Sequence, residues 1–190
     1  MTELNRKTKE TDIKCKIDTN GSGKSNINTG VGFFDHMLEA LSKHSGTDID
    51  LSCVGDLHID AHHTVEDCGI VLGKAFKNEI FPIENVERYG NATVVMDEAA
   101  TTCALDLSNR PFLVYEVNLS GKVGEFDVEL AEEFFHALVM NSGLTCHIIN
   151  ERGRNKHHIL EASFKAFAVA LRRAMAKNEK LGIPSTKGVL

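Results

Sequence analysis

Hydrophobic residues in the first half of the chain recur at two spacings, one typical of strands and one typical of helices. Alternation predicts three strands, whose inward-facing residues are Ile13, Cys15 and Ile17, then Ile27, then Ile49, Leu51 and Cys53. Helical spacing predicts an amphipathic helix through Phe33, Phe34, Met37, Leu38 and Leu41, and a second from about residue 63 to residue 80. The first half is therefore predicted to run β-β-α-β-α.

The second half repeats this order. Strands are predicted in residues 92–108, 111–120 and 144–151, and helices in residues 128–143 and 157–175. Short strings also return: HHTVE at 62–66 as HHILE at 157–161, and Ser-Gly at 45–46 as Ser-Gly at 142–143. We expect an α+β fold made by internal duplication, with two sheets and their helices in one core. The predicted parts are residues 1–86, 87–183 and a tail, 184–190.

Composition and charge narrow the class of protein. The net charge is -6 and basic residues are scattered, which predicts no nucleic-acid partner. No apolar run approaches the roughly 20 residues that span a bilayer, and the N-terminal segment is polar, so we expect a cytoplasmic protein without a membrane partner. Five cysteines without a CxxC pair indicate reduced, mostly buried thiols.

Nine histidines, two pairs of them adjacent, suggest a metal site. In each HHxxE string the glutamate follows the histidines by four and three residues, so a helix places all three along neighbouring faces. Consecutive residues on a helix point about 100° apart, so the two histidines of a pair would serve different ions. Imidazole and carboxylate without thiolate suit Mn, Fe or Zn. A single HHxxE string is weak evidence, but its return in the duplicated half favours metal binding.

Further imidazoles would be needed to complete such sites. The candidates are His36 on the first helix, His136 on a later helix and His147 on a strand. His36 borders the apolar face of its helix. A structural role as a partly buried histidine is therefore as good an explanation as metal binding. His147 alternates with Cys146 and Ile148 on its strand, so its face is polar and could reach a site at a sheet edge. These alternatives stay open on spacing alone.

Basic residues in turns and near the C-terminus suggest phosphate recognition. Arg88, Arg110 and Lys187 lie in ERYGN, SNRPF and PSTKG, where backbone amides and hydroxyls could join a basic side chain around an oxyanion. Taken singly, each is better explained as a solvated surface base.

Seven ordered strings cover nearly the whole chain: TGVGFFDHML, GDLHIDAHHTVEDCGIVLG, RYGNATVVMDEA, SNRPF, TCHI, NKHHILEASFKAF and IPSTKGV. Together they resemble the imidazoleglycerol-phosphate dehydratase family. The resemblance implies two similar halves, each a four-stranded sheet with two helices, in a fold of the ribosomal protein S5 domain 2-like type. It also implies a 24-subunit homo-oligomer of trimers with active sites between subunits, each holding two Mn²⁺ ions. One departure is Val95, where the family usually has proline before Met-Asp-Glu-Ala.

The resemblance also implies roles for individual residues. The metal ligands would be His36, His62, His63, Glu66, His147, His157, His158 and Glu161, which favours His147 over His136. Substrate contacts would fall on Glu10, His36, His62, His63, Arg88, Arg110, Lys165, Ser185, Thr186 and Lys187. The catalytic carboxylates would be Glu10, Glu66 and Glu161, with Glu10 as the candidate acid or base and the other two as ligands.

The reaction implied is the loss of water from imidazole glycerol phosphate, giving imidazole acetol phosphate, a step of L-histidine biosynthesis. This step removes a weakly acidic carbon-bound proton beside the imidazole ring. A metal ion bound to the imidazole would take the place of the strong base that such a step otherwise needs. Two other classes compete: a metal-storage or scaffold protein, and a metal-dependent hydrolase. Neither explains the seven strings, and a scaffold has no use for a phosphate cluster.

Overall fold

The computed structural model describes residues 1–188. Its strands and helices follow one another along the chain as β1 (Thr2–Lys7), β2 (Thr11–Asp18), β3 (Ser25–Asn28), α1 (Gly32–Ser45), β4 (Asp48–Gly55), α2 (His62–Ile80), β5 (Tyr89–Met96), β6 (Ala99–Asp106), β7 (Phe112–Glu116), β8 (Lys122–Val123), β9 (Phe126–Asp127), α3 (Leu130–Ser142), β10 (Thr145–Arg152) and α4 (Lys156–Ala174). The fold is α+β, as the sequence predicts.

Two four-stranded sheets share one topology. The first has the order β1-β2-β4-β3 and the second the order β5-β6-β10-β7. In each sheet the last pair is parallel, and the other pairs are antiparallel. The shared order confirms the predicted duplication. The proposed divisions after residues 86 and 183 stay predictions, and residues 189 and 190 of the predicted tail lie outside the described residues.

The predicted order differs from the fold in three places. The stretch at residues 92–108, predicted as strand throughout, forms two strands, β5 and β6, with a break at Asp97 and Glu98. Strand β1 is an edge strand whose positions alternate between half-buried and exposed, so its polar sequence TELNRK lacks the apolar alternation of a buried strand. The small hairpin of β8 and β9 contains only two residues on each side. Strand β1 and the hairpin are not predicted, because the prediction depends on runs of inward-facing apolar residues.

The helices pack in pairs that bring the two halves together. Helix α1 contacts α4, and α2 contacts α3. The approach of α2 to α3 is close, because a Cβ built on Gly73 would lie 2.5 Å from the carbonyl oxygen of Leu138. Helices α1 and α3 both end in the repeated Ser-Gly string, whose glycines, Gly46 and Gly143, adopt the left-handed conformation at φ 76° and 78°.

The core lies between the helices and the inner faces of both sheets. Phenylalanines fill its centre, with Phe134 in edge contact with Phe34 and stacked on Phe164. All five cysteines are buried free thiols, as predicted. Among residues 1–188, no helix has both the length and the hydropathy needed to cross a membrane.

Candidate functional site

Both HHxxE strings begin in the first turn of a helix. Helix α2 begins at His62, whose backbone N–H donates to the side chain of Asp60. Helix α4 begins one residue before His157, whose backbone N–H donates to the side chain of the N-cap residue Asn155. These side-chain acceptors satisfy amide groups that have no partner within the helix. The helix start therefore fixes where each pair of histidines emerges.

One three-residue cluster has the geometry of a metal site. His36 of α1 meets His157 and Glu161 of α4, and one ligand atom from each lies within 4.8 Å of the other two. The Oε2 atom of Glu161 is 3.0 Å from Nε2 of His157 and 3.5 Å from Nε2 of His36. Two imidazoles and a carboxylate are a donor set that suits manganese, iron or zinc. Within residues 1–188 this is the one group of three that meets that distance.

Glu161 is the buried member of this cluster, with its side chain 8% exposed. Burial acts to raise the pKa of Glu161, but the nearby positive charge outweighs it and the pKa is lowered overall. The main favourable partner is Lys165, whose Nζ atom lies 2.6 Å from Oε1. The Oε2 atom is left to face the two histidines, so the carboxylate is ready to bind a cation.

The equivalent residues of the first half form a smaller group. The Nε2 atom of His62 lies 3.7 Å from Oε2 of Glu66, and both side chains are more than two-fifths exposed. The shift of 97 residues that relates the two Ser-Gly strings carries His36 onto Glu133, so the repeat offers a carboxylate, not an imidazole, at that position. This pair would need further ligands to hold an ion.

The second histidine of each string is held by a carboxylate. The Nδ1 atom of His63 lies 3.0 Å from Oδ2 of Asp56, and Nδ1 of His158 lies 2.8 Å from Oε2 of Glu98. These hydrogen bonds raise the pKa of both histidines. The pKa of Glu98 falls to about 2, because it accepts hydrogen bonds from the backbone of Asn155, from His158 and from the backbone of Arg154.

Glu10 approaches the other side of the His63 ring. Its Oε1 atom lies 3.9 Å from Nε2 of His63, and its side chain is 53% exposed. The turn that carries Glu10 is tied to α2, because Thr11 and Arg6 both donate to the buried carboxylate of Asp67. Asp67 lies one helical turn after His63, so this anchor brings Glu10 to the N-terminal end of α2.

His147 does not join the cluster of its own chain. It is exposed on β10, between the buried residues Cys146 and Ile148, and therefore faces away from the helices that carry the other histidines. His136 is exposed on α3 and joins no three-residue group in the part of the chain that the structure describes.

The predicted phosphate residues come together in a separate pocket. Its volume is about 410 Å³, and it is lined by Arg88, Tyr89, Ser108, Asn109, Arg110, Ser185, Thr186 and Lys187. The side chain of Arg110 is 72% exposed, whereas that of Arg88 is almost covered. The backbone N–H of Lys187 donates to the hydroxyl of Ser185, which folds the tail into a turn at the pocket. Three basic side chains and the three hydroxyls of its serines and threonine suit an oxyanion.

Arg88 is the fixed member of this pocket. Its Nε atom donates to Oδ1 of Asp106 at 2.7 Å and its Nη2 atom to Oδ2 at 3.2 Å, while Nη1 donates to the carbonyl oxygen of Pro184 at 2.7 Å. The ion pair with Asp106 raises the pKa of Arg88. Arg88 therefore joins the second sheet to the C-terminal tail.

The comparisons with known proteins agree with one another. A model of the imidazoleglycerol-phosphate dehydratase family matches residues 29–171. The chain is 85% identical to imidazoleglycerol-phosphate dehydratase from Aliarcobacter butzleri and 63% identical to that from Sulfurimonas denitrificans, over the full length of both proteins in each case. The chain belongs to the imidazoleglycerol-phosphate dehydratase family. It is accordingly a hydro-lyase of histidine biosynthesis, as the sequence predicts.

Solved structures of the family share the fold. The crystal structure of imidazoleglycerol-phosphate dehydratase from Staphylococcus aureus aligns with a TM-score of 0.82 at 41% identity, covering 93% of this chain and 98% of that one. The structure of the Pyrococcus furiosus dehydratase in complex with (S)-C348 aligns with a TM-score of 0.85 at 38% identity, covering 98% of this chain and all of the other.

Three carboxylates around the candidate site residues were not predicted from the sequence. Asp56 and Glu98 hold the rings of His63 and His158, and Asp106 holds Arg88. Asp56 and Glu98 lie inside strings that carry the family resemblance, and Asp106 lies two residues before SNRPF. The string alone does not say which side chain it contacts, because Glu98 and His158 are 60 residues apart.

Proposed function

We propose that this chain dehydrates imidazole glycerol phosphate to imidazole acetol phosphate and water, using two Mn²⁺ ions in each active site. The observation that carries the proposal is the convergence of His36, His157 and Glu161 from two helices. Manganese, a 24-subunit assembly of trimers and a cytoplasmic location are further parts of this proposal, and they rest on the family resemblance.

The donor set supports manganese at the histidine–glutamate groups. The ligands proposed are His36, His62, His63, Glu66, His147, His157, His158 and Glu161. When bound, the ions would supply Lewis-acid stabilisation of the deprotonated imidazole ring of the substrate. Glu66 and Glu161 would act as ligands, and Lys165 would keep Glu161 ionised.

The chain's own acid–base group is proposed to be Glu10. The substrate must lose a carbon-bound proton and a hydroxyl group, so a carboxylate beside the metal-binding histidines would take up the first or protonate the second. Glu10 meets this need, because its Oε1 atom is near Nε2 of His63 and its side chain is open to a ligand. The anchor between Arg6, Thr11 and Asp67 would limit its movement.

The pocket at Arg88 and Arg110 is proposed to bind the substrate phosphate. Arg110, Ser185, Thr186 and Lys187 would contact its oxygens, and Arg88 would hold the tail in place beside them. Binding energy at the phosphate would position the reacting end of the substrate. The phosphate pocket shares no lining residue with the three-residue metal cluster. A complete active site therefore requires that the pocket and the cluster be brought together.

The position of His147 supports an active site shared between subunits. On the outer face of its sheet, His147 is available to another copy of the chain and is turned away from the histidine–glutamate groups of its own. The exposed group at His62 and Glu66 lacks a third ligand within residues 1–188. A neighbouring copy in a homo-oligomer would supply it.

Mixing two inactive variants tests this arrangement. His147→Ala and His157→Ala are each expected to lose activity. After chelation, mixing and addition of Mn²⁺, about a quarter of the sites would combine an intact His147 from one variant with an intact His157 from the other, since each contribution is correct half of the time. Recovery near that fraction supports a shared site. No recovery in confirmed mixed assemblies would contradict it.

A further inference from the structure

Both halves place a carboxylate on Nδ1 of the second histidine in the HHxxE string. The carboxylates come from different places: Asp56 follows β4, whereas Glu98 lies in the turn between β5 and β6. The two contacts are therefore not copies of one ancestral contact. Each half makes this contact with a residue from a different place. Both rings therefore share a requirement for a carboxylate at Nδ1.

A carboxylate accepts hydrogen bonds and has no hydrogen to donate when ionised, so the ring must donate from Nδ1. Glu98 is held in the ionised form, because its other oxygen accepts the backbone N–H groups of Arg154 and Asn155 at 2.9 and 2.7 Å. In the neutral ring, a proton on Nδ1 leaves the lone pair on Nε2. That nitrogen is then the one available to a metal ion.

A neighbouring amide gives independent support in the second half. The Oδ1 atom of Asn155 accepts the backbone N–H of His157, which identifies the other amide atom, Nδ2, as a donor. Nδ2 lies 3.5 Å from Nε2 of His158. A donor facing Nε2 is compatible with a lone pair there and would oppose a proton.

Among residues 1–188, no carboxylate lies within hydrogen-bonding distance of Nε2 in either ring. The nearest carboxylates are Oε1 of Glu10, 3.9 Å from Nε2 of His63, and Oδ2 of Asp97, 3.7 Å from Nε2 of His158. Both distances are too long for a hydrogen bond. Glu10 and Glu98 occupy matching turns, one before β2 and one before β6, yet only Glu98 is tied to the ring at Nδ1.

We infer that Asp56 and Glu98 are positioning residues that fix His63 and His158 in the Nδ1-protonated form and present Nε2 to manganese. This inference rests on the proposed function, because it assumes that both rings are metal ligands. It assigns to Asp56 and Glu98 the role of an outer partner that orients a ligand and increases its affinity for metal. It also separates Glu98 from Glu10, whose free carboxylate is left for acid–base chemistry.

Glu98→Gln is the sharpest test, because the two backbone N–H groups would hold the carbonyl oxygen of the new amide. Its NH₂ group would then face Nδ1, and the ring proton would move to Nε2. The expected result is Mn²⁺ binding about 10- to 100-fold weaker than in the wild type, measured from the electron paramagnetic resonance signal of free Mn²⁺. The matched control is Glu3→Gln, an exposed glutamate on β1.

A second readout follows the tautomer itself. Solid-state ¹⁵N spectra would be recorded on metal-free protein with labelled histidines, at a pH at which the rings are neutral. One ring that is protonated at Nδ1 in the wild type should be protonated at Nε2 in the variant. Circular dichroism would verify the fold. Asp56→Ala would test the same role at His63 in the first half. It would be the only test variant if the Glu98 variant did not fold.

The outcomes separate the inference from the proposed function. Unchanged Mn²⁺ affinity and an unchanged ¹⁵N spectrum in the Glu98 variant, with normal binding by the wild type, would overturn the positioning role and leave the metal sites standing. Failure of the wild type to bind Mn²⁺ would overturn the metal sites and the inference together.

Discussion

The Nε2 atom of His36 lies 3.5 Å from the Oε2 atom of Glu161, which joins the first half of the chain to the second at a metal-binding geometry. The contact depends on the packing of α1 against α4. Helix packing between the halves therefore positions the proposed metal ligands, and we expect a change to either helix to alter metal affinity.

His36→Ala should weaken Mn²⁺ binding, because it removes one of the two imidazoles of the cluster. We expect fewer ions bound per subunit at a fixed free Mn²⁺ concentration, measured by elemental analysis after equilibrium dialysis. His136→Ala is the control, since His136 is exposed on α3 outside the cluster. Equal metal content in both variants would argue against His36 as a ligand.

Arg110→Ala should reduce substrate affinity more than metal content. Arg110 is exposed at the proposed phosphate pocket, and a charge-assisted hydrogen bond contributes about 1.5–3 kcal/mol, so KM should rise by roughly 10- to 100-fold. Steady-state kinetics on metal-loaded protein would measure it. Arg172→Ala, at an exposed position of α4, is the control. A KM equal to the wild-type value would remove Arg110 from the phosphate site.

Gly73→Ala should destabilise the protein, because its Cβ would meet the backbone of α3 at 2.5 Å. Overpacking of this kind typically costs about 1–3 kcal/mol. Gly32→Ala provides the control, since a Cβ built there meets nothing within 4 Å. Thermal unfolding of both variants should show a lower Tm for Gly73→Ala alone. A Tm equal to that of the wild type would mean that α2 and α3 are farther apart than described.

Acid should remove the stability that Asp48 contributes. Its Oδ1 atom accepts the backbone N–H groups of Ser22 and Lys24, and the hydrogen bond from Lys24, followed by that from Ser22, lowers its pKa. A carboxylate with a lowered folded-state pKa stabilises the protein above the unfolded value of about 3.9, and that contribution is lost as the pH falls through the folded-state pKa.

Denaturant unfolding of wild type and Asp48→Asn at several pH values would measure this effect. The free-energy difference between the two proteins should be largest above about pH 4 and should shrink at lower pH. A difference that stays constant with pH would show that the carboxylate charge of Asp48 has no role in stability.

The sequence predicted those features that depend on local pattern. The HHxxE strings fell at helix starts because apolar spacing after them is helical, and the repeated strings predicted two sheets of equal topology. Strand β1 was missed because an edge strand can be polar throughout. The hydrogen bonds that Asp56 and Glu98 accept from histidines were missed, because tertiary packing decides which side chains meet.

The proposed function is tested most directly by a dehydration assay on protein stripped with chelator and then supplied with Mn²⁺. Formation of imidazole acetol phosphate and particle size, the latter by light scattering, would be followed together. We predict that activity and a large assembly both appear on metal addition. Assembly without turnover would contradict the proposed function and would favour a scaffold held together by the same histidines.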